Sequence, residues 1–396
     1  MTFVALIGVV SLFADMTYEG ARSINGPFLA VLGASSLAVG FIAGAGELLG
    51  YLTRPVSGAG ADRTGRYWTI ILAGYSINLL AVPALALAGN WPAAAALMIA
   101  ERLGKGIRNP PRDVILSAAG SVAGQGWVFG FHEAMDQIGA TLGPLIVALI
   151  LFLRGTYHQA YALLLLPAAI AIGVVIAARF VYPHPERFEV TQAAGEADRS
   201  LQTETNASGR RFPSLYWIYV TGVMFVAAGF ADYPLIAYHF HQAKVVSPDL
   251  VPVLYAVAMA TDAAAALAFG ALFDRIGSKV MVIGVALSLF FAPLVFGFAP
   301  GEAAFVAAFV GMALWGIGMG AHESVMSAIV ARIIPFRNRG RAYGVFNAAY
   351  GGAWFAGSAV LGYLYGVSVE GLIIFSMAAQ AASLPFLVVA ARRIQR

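Results

Sequence analysis

A repeated loop motif divides this chain of 396 residues into two related halves. Residues 58–66 are Gly-Ala-Gly-Ala-Asp-Arg-Thr-Gly-Arg, and residues 270–279 are Gly-Ala-Leu-Phe-Asp-Arg-Ile-Gly-Ser-Lys, so that 212 positions separate Asp62 from Asp274. A second pair of similar segments, which begin at Gly126 and Gly340, has an offset of 214. Because a long internal repeat reflects repeated structural units, we expect two halves with the same fold.

The composition places both halves in a membrane. Apolar residues make up 60% of the chain and charged residues 11%, against roughly 45–50% and about 25% in soluble domains. About 20 apolar residues cross a hydrocarbon core. Twelve segments meet this criterion, six in each half, near residues 3–30, 36–58, 68–89, 91–108, 127–153, 160–182, 214–240, 249–272, 280–299, 303–326, 342–366 and 370–391.

These segments predict an all-α integral membrane protein with twelve transmembrane helices in two pseudo-symmetric six-helix bundles. The bundles are expected at 1–182 and 214–396, the second with a short tail, and a polar linker at 183–213 joins them. Because no basic region precedes the first apolar run, we interpret it as the first span and not as a signal peptide. Its abrupt start suggests that a few preceding residues are missing. A repeat of this kind in a membrane chain is typical of transporters.

Lys and Arg placement predicts the orientation, because cytoplasmic loops carry an excess of both. On one face, basic residues follow spans two and eight, occupy the linker, separate spans ten and eleven, and end the chain. The opposite face has only Arg154 and Lys244 in its loops. We therefore expect both termini and the linker in the cytoplasm of a bacterial cell, with the helices in its inner membrane. The glycosylation triplet at Asn206 would then stay unmodified.

Several function classes lack support in the sequence. The net charge of +4 is too small to indicate nucleic-acid binding, and the absence of cysteine excludes thiolate chemistry. Gly104-Lys-Gly lacks the upstream glycine and the Ser or Thr of a phosphate loop, and the glycines at 316–320 predict close helix packing. We expect no cofactor and neither an ATP-driven pump nor a membrane hydrolase.

At the level of motifs the whole chain resembles the major facilitator superfamily. The loop motif is that family's most specific signature, and its gating residues here are Gly58, Asp62, Arg63, Gly65, Arg66, Gly270, Asp274, Arg275 and Gly277. Arg102-x-x-Lys-Gly is similar to the family's motif in span four, and Gly139-x-x-x-Gly-Pro is similar to its antiporter motif. The longer phrases at 102–113 and 129–136 resemble a poorly assigned bacterial branch, to which magnetosome iron-transport permeases are similar.

The resemblance implies roles for particular residues. It implies that Asp62 pairs with the other half in one state of a transport cycle, and that Arg102 couples protonation to conformational change. It also implies that spans one, four, seven and ten line a central cavity. From the residues themselves, we expect Asp62 to accept backbone N–H groups at the start of span three, where the helix dipole favours an anion.

Ionisable groups at membrane depth are costly, so they mark candidate sites. Asp15, Glu19 and Arg22 form one stripe of span one, and this stripe is either a structural salt bridge or a substrate and proton site in which Arg22 binds an anion. Glu47, among glycines of span two, is expected to point inward.

Span four carries several charges. Glu101 and Lys105 are spaced to pair with each other, which leaves Arg102 for the cavity. Arg108 and Arg112 are expected at the cytoplasmic end, with Asp113 as their local partner.

Span five carries His132, Glu133 and Asp136, and the first and last of these can share a proton or a metal. A capping network at the start of the span is the alternative. The second half contributes the substrate or proton candidates His322 and Glu323, with Asp232, His239 and Asp262 as further buried charges.

These observations predict a monomeric, proton-coupled secondary transporter of a small solute in a lipid bilayer, with export slightly favoured. One alternative keeps the fold and makes the cargo a divalent metal such as iron, held by Asp15, Glu19, His132 and Asp136. Another alternative is a membrane enzyme or a sensor that does not transport. The central site is expected between spans one and five, with the more apolar second half as its moving wall.

Overall fold

A computed structural model describes residues 2–123, 125–183, 212–334 and 339–394, and the side chains at 118–127, 129, 274, 323, 339 and 340 fall outside that description. The described backbone is all-helical. The twelve long helices are α1 Thr2–Val31, α2 Ser36–Thr64, α3 Tyr67–Leu87, α4 Trp91–Ala123, α5 Gln125–Phe152, α6 Tyr157–Val181, α7 Ser214–Gln242, α8 Leu250–Ile276, α9 Lys279–Phe296, α10 Glu302–Ile333, α11 Arg339–Val367 and α12 Val369–Ile394.

Ten of these helices are long and apolar enough to cross a membrane by composition alone. The exceptions are α4 and α11. Charged residues from Glu101 to Asp113 lie inside α4, which extends well past the span expected at 91–108. The predicted fold class is confirmed, with twelve helices in six-helix halves, and most of the linker lies outside the described residues.

Helix α7 is broken between its two segments, Ser214–Gly229 and Tyr233–Gln242. Asp232 precedes the second segment, and Pro234 lies in its first turn, where proline is tolerated. This break places the Asp232 side chain at membrane depth, where it is 1% exposed.

Matching glycine contacts make the repeat visible in the packing. A Cβ atom on Gly106 of α4 would lie 2.6 Å from the carbonyl oxygen of Gly50 on α2, and one on Gly320 of α10 would lie 2.6 Å from that of Asp262 on α8. Gly320 follows Gly106 by 214 positions and Asp262 follows Gly50 by 212, which are the two offsets of the repeat. Small residues therefore let the same two helices approach closely in both halves.

In both repeated loops the helix ends at a glycine with a positive φ. Gly65 and Gly277 follow α2 and α8 with a φ of 65° in each case, a region that favours glycine. We call the end of the molecule that contains these loops the loop end, and the end that contains the α1–α2 connection the far end.

The two halves are in contact at the far end. A Cβ atom on Gly26 of α1 would lie 2.0 Å from the carbonyl oxygen of Pro234 on α7, and one on Gly40 of α2 would lie 2.3 Å from that of Ser358 on α11. The Tyr238 hydroxyl donates to the Ala34 carbonyl at 3.3 Å. Toward the loop end, α4 and α10 make almost no contact with each other within the described ranges. The far end is thus closed, and a cavity extends from mid-depth toward the loop end.

Candidate functional site

The central cavity has a volume of about 310 Å³ and lies between the two halves. Its first-half wall is charged, and its second-half wall is mainly aromatic and sulfur-containing. The charged lining residues are Glu19, Arg22, Glu47, Arg54, Arg102 and Lys105. The facing side chains from α10 and α11 include Met319, His322, Met326, Phe346, Tyr350 and Trp354.

Arg22 contacts three carboxylates at once. Its Nη2 lies 3.3 Å from Glu47 Oε1 on α2 and 3.7 Å from Asp232 Oδ1 on α7, and its Nη1 lies 3.8 Å from Glu19 Oε1 one turn away. Of these partners, Asp232 belongs to the second half. A guanidinium can hold several acceptors because it has five donors in a fixed plane, so Arg22 joins the halves electrostatically at mid-depth.

The Asp232 carboxylate is fixed by neutral donors on α11. Its Oδ2 accepts hydrogen bonds from Trp354 Nε1 at 2.9 Å and from the Ser358 hydroxyl at 2.6 Å. These bonds compensate part of the cost of burying a carboxylate. They also hold Oδ1 toward Arg22.

A second connection between the halves joins Glu19 to Tyr255 of α8. The Tyr255 hydroxyl donates to Glu19 Oε2, while Glu19 Oε1 faces Lys105 Nζ of α4 at 3.9 Å. Glu19 therefore contacts cations of the first half and a neutral hydroxyl of the second half. A proton taken up by this carboxylate would weaken its attraction to Arg22 and Lys105.

Arg102 is paired, in contrast to the expectation of an unmatched cation. Its Nη1 lies 3.4 Å from Glu47 Oε1, and its Nε lies 3.3 Å from Glu101 Oε2. Glu101 also accepts from Asn78 Nδ2 at 2.9 Å. The expected Glu101–Lys105 pair is replaced by these contacts because Lys105 turns toward α1, where its ammonium also lies 4.0 Å from the centre of the Tyr18 ring.

Arg108 departs from its expected place at the cytoplasmic end. It is 1% exposed and stacks over Tyr75 with 4.4 Å between the guanidinium carbon and the ring centroid. Arg112 does pair with Asp113, at 2.8 Å. The length of α4 explains why Arg108 is buried. The helix continues to Ala123, so Arg108 lies in its middle, inside the packed bundle.

The span-five residues lie apart from the central cavity. His132 Nδ1 lies 3.3 Å from Asp136 Oδ2, and the Ser11 hydroxyl lies 3.1 Å from His132 Nε2. His132, Glu133 and Asp136 line a different cavity of about 560 Å³, which also touches α4, α8 and α10. The expected single site between spans one and five is therefore split. The capping alternative also fails, because α5 begins at Gln125 and places His132 two turns inside the helix.

Asp15 lines neither cavity and lies near Asp136 of the second group. It is 6% exposed, and the charged groups that act on it are Asp136, Lys105 and Arg108. The Gly139 and Gly143 contacts explain why, because they place α5 directly against Leu12 and Met16 on the same part of α1.

The metal alternative gains no support from this arrangement. Its four expected ligands do not meet, since Glu19 lines one cavity, His132 and Asp136 line the other, and Asp15 lines neither. Over the residues that the structure covers, no group of three or more His, Asp or Glu side chains is placed to hold a metal ion.

The first copy of the gating motif differs from expectation in one contact. Helix α2 continues to Thr64, so Asp62 lies in its last turn and accepts a hydrogen bond from the Tyr67 hydroxyl at 3.0 Å, not from the backbone of α3. Arg63 and Arg66 are exposed. The side chains of Asp274 and Glu323 lie outside the described part of the chain.

His322 is the one imidazole on the cavity wall among the described lining residues. It is 4% exposed, both of its ring nitrogens lack a hydrogen-bond partner, and its ring packs edge-on against Phe230. Sequence reasoning selected it and named Asp232 as a further buried charge, but it did not place Asp232 in the site and it missed the aromatic residues beside His322. The Gly229-Phe-Ala-Asp-Tyr-Pro234 pattern, which ends one helix and starts another, could have indicated Asp232.

Comparison with known proteins gives consistent results. The family model described as Major Facilitator Superfamily matches residues 7–358. An uncharacterized protein of Mycobacterium tuberculosis is 38% identical over 383 residues, 96% of this chain and 91% of the relative. An uncharacterized MFS-type transporter of Methanocaldococcus jannaschii is 27% identical over 379 residues, 93% and 89% of the two chains. The crystal structure of the nucleoside transporter NupG has a TM-score of 0.73 at 14% identity, with 100% and 98% coverage.

Proposed function

This chain belongs to the Major Facilitator Superfamily and is a secondary transporter rather than an enzyme, and we propose that it exports a small solute in exchange for protons. The protein crosses the membrane many times. In the proposed orientation the loop end faces the cytoplasm of a bacterial cell. The conformation described above is then inward-facing.

The solute binds in the central cavity between the halves. Three features support this location. The cavity lies at mid-depth, as sites do in transporters built from repeats. It is lined by both halves, so that a rocking motion would expose it to each side in turn. The broken helix α7 contributes Asp232 beside it, and irregular backbone at membrane depth is tolerated where it lines a cavity.

The contact of Arg22 with Asp232 carries the proposal of proton coupling. Arg22 faces Glu19 on its own helix, Glu47 on α2, Arg102 on α4, Asp232 on α7 and Tyr255 on α8. A proton on Asp232 removes one attraction that holds the far end closed, and a proton on Glu47 removes the partner that positions Arg22 within its own half. Proton uptake from outside and solute binding from inside would thus favour opposite conformations, as an exchanger requires.

Export is supported by Gly139 and Gly143, which belong to the motif that resembles that of antiporters. In the structure both glycines lie directly against the backbone of α1. They let α5 pack closely against α1, so that the two helices can move as one body together with Arg22 on α1.

The test is transport by purified protein in proteoliposomes with a pH-sensitive dye inside. A panel of organic acids, neutral metabolites, amines, drugs and Fe²⁺ is added at a fixed pH gradient. We expect at least one organic solute to dissipate the gradient with the wild-type protein and with Glu133→Gln, but not with Glu47→Gln. A solute that moves at the same rate with and without a gradient, and that leaves the internal pH unchanged, contradicts proton coupling.

A further inference from the structure

The two walls of the central cavity differ in chemistry, and this difference points to a class of solute. The first-half wall presents four cations, Arg22, Arg54, Arg102 and Lys105, and two carboxylates, Glu19 and Glu47. The other two carboxylates of the network, Asp232 and Glu101, pair with Arg22 and Arg102 but do not line the cavity. The surface that a solute meets therefore carries an excess of positive charge.

Two of these cations have free capacity to bind an anion. Lys105 Nζ lies 3.9 Å from Glu19 Oε1, which is longer than a hydrogen bond. Arg54 stacks on Tyr51 at 4.6 Å, has no acidic partner within 4 Å in the described ranges, and has a buried Nε without a hydrogen-bond partner. Both side chains are partly exposed to the cavity, so an arriving anion can occupy their open donor positions.

The opposite wall is an aromatic surface, in which the Tyr350 and Trp354 rings are tilted by 47° to each other. Phe346, Tyr350 and Trp354 follow one another at four-residue spacing on α11, so they form one stripe of that helix. The Phe346 and Tyr350 rings are nearly parallel, at 13°, with centroids 6.1 Å apart. Met319 and Met326 extend this surface on α10, and methionine adapts to apolar ligands of irregular shape.

His322 provides an independent sign of a ligand. Both ring nitrogens are buried without a partner although the side chain lines the cavity. Leaving a buried polar group without a hydrogen-bond partner is unfavourable, so a partner that arrives with the solute would recover this cost. The imidazole lies between Met319 and Met326 along α10, so it provides one hydrogen-bonding group on an otherwise apolar wall.

From this geometry we infer that the transported solute is an organic anion with an apolar or aromatic body. Its carboxylate or similar group binds the two cations with free capacity, Lys105 and Arg54. Its body lies against Phe346, Tyr350 and Trp354, and a polar substituent bonds His322. A volume of about 310 Å³ suits a solute at the small end of metabolite size. The inference rests on the proposed function, whose site it uses.

The experiment measures binding without any gradient, so that it is independent of proton coupling. Benzoate, phenylacetate and indole-3-acetate are tested at millimolar concentrations against their own amides, with the midpoint of thermal unfolding and equilibrium dialysis as readouts. We expect at least one acid to bind at least tenfold more tightly than its amide. Lys105→Met should remove most of this preference, and His322→Phe should weaken binding of acids that carry a ring N–H or hydroxyl.

Lys279→Met is the matched control, because Lys279 is exposed at the start of α9; it should leave the preference intact. Equal or tighter binding of the amides, or no binding by any of the three acids, overturns the substrate class. Acids that bind but cross the membrane without moving protons contradict the proposed coupling and leave the substrate class standing.

Discussion

Arg22 Nη2 and Asp232 Oδ1 lie 3.7 Å apart across the boundary between the two halves of the protein. Arg22 is also held by Glu47, and Asp232 by Trp354 and Ser358, so neither side chain can leave without breaking other contacts. This is a contact that forms in one arrangement of the halves and must break in another. It therefore couples local charge to the conformation of the whole molecule.

Asp232→Asn should shift the conformational equilibrium away from closure of the far end. The amide can still accept from Trp354, but it no longer carries the charge that attracts Arg22. The chain has no native cysteine, so a Ser327→Cys reporter on the cavity wall can be labelled selectively with a maleimide. We expect labelling in detergent to slow by about fivefold, a coupling of about 1 kcal/mol.

Asp249→Asn is the control for this experiment, because Asp249 makes no side-chain cap at the start of α8. It should not change labelling. Unchanged labelling in Asp232→Asn itself would show that the pair does not hold the far end closed.

Gly26→Ala should shift the equilibrium in the same direction for a steric reason. The new methyl group would lie 2.0 Å from the Pro234 carbonyl oxygen and 2.7 Å from the Tyr238 nitrogen, and both are backbone atoms that cannot rotate away. Maleimide labelling of Ser327→Cys should again slow. Gly173→Ala in α6, where a Cβ meets nothing within 4 Å, should label at the unmodified rate, and fast labelling in both would contradict the steric role.

Arg102→Lys should reduce proton-driven accumulation at least tenfold. The guanidinium reaches Glu47 with Nη1 and Glu101 with Nε, which point in different directions. A lysine ammonium is a single point and cannot hold both carboxylates. Arg179→Lys, on the exposed last turn of α6, is the conservative control. Normal accumulation against a gradient in Arg102→Lys would make Arg102 a structural residue.

Local rules predicted some of these contacts and failed for others. The His132–Asp136 pair follows from i,i+4 spacing, since both residues lie on one helix. The same rule predicted that Glu101 pairs with Lys105, but Lys105 faces Glu19 on another helix. Which of the two acids Lys105 approaches depends on how α1 packs beside α4. The cost of charge at membrane depth selected Glu19, Arg22, Glu47 and Arg102, all of which line the central cavity.

The sequence did not predict which residues of the two halves contact each other. Asp232 and Trp354 meet Arg22 and the cavity only because the bundles pack against each other, and no spacing rule connects positions so far apart. The face that α5 presents to α1 also depends on packing between distant positions. Gly139 and Gly143 lie against the backbone of Leu12 and Met16. His132 and Asp136 are thereby placed on a second cavity.

Glu19→Gln should make transport independent of pH while leaving the protein folded. The amide can still accept from Tyr255, but it loses the charge that faces Arg22 and Lys105. The initial transport rate is measured from pH 5 to 8 in proteoliposomes without a membrane potential. Glu133→Gln, in the separate cavity, should keep the wild-type profile. The opposite pattern would place the proton site at span five.

Asp62→Asn should slow transport several-fold with little change in expression. Asp62 lies in the last turn of α2, where the helix dipole disfavours a negative charge. Its local contact is a hydrogen bond from Tyr67. A negative charge at this position does not stabilise α2. This supports a role for Asp62 in another conformation, in which the loop end is closed and Asp62 contacts the second half.

Tyr67→Phe separates this role from a local one. It removes the hydrogen bond and leaves the charge, so it should transport at nearly the wild-type rate if Asp62 acts by pairing across the halves. Initial rates are compared in proteoliposomes at matched protein density. If Tyr67→Phe is as slow as Asp62→Asn, the local bond explains the effect, and if both variants are normal, the loop does not gate the cycle.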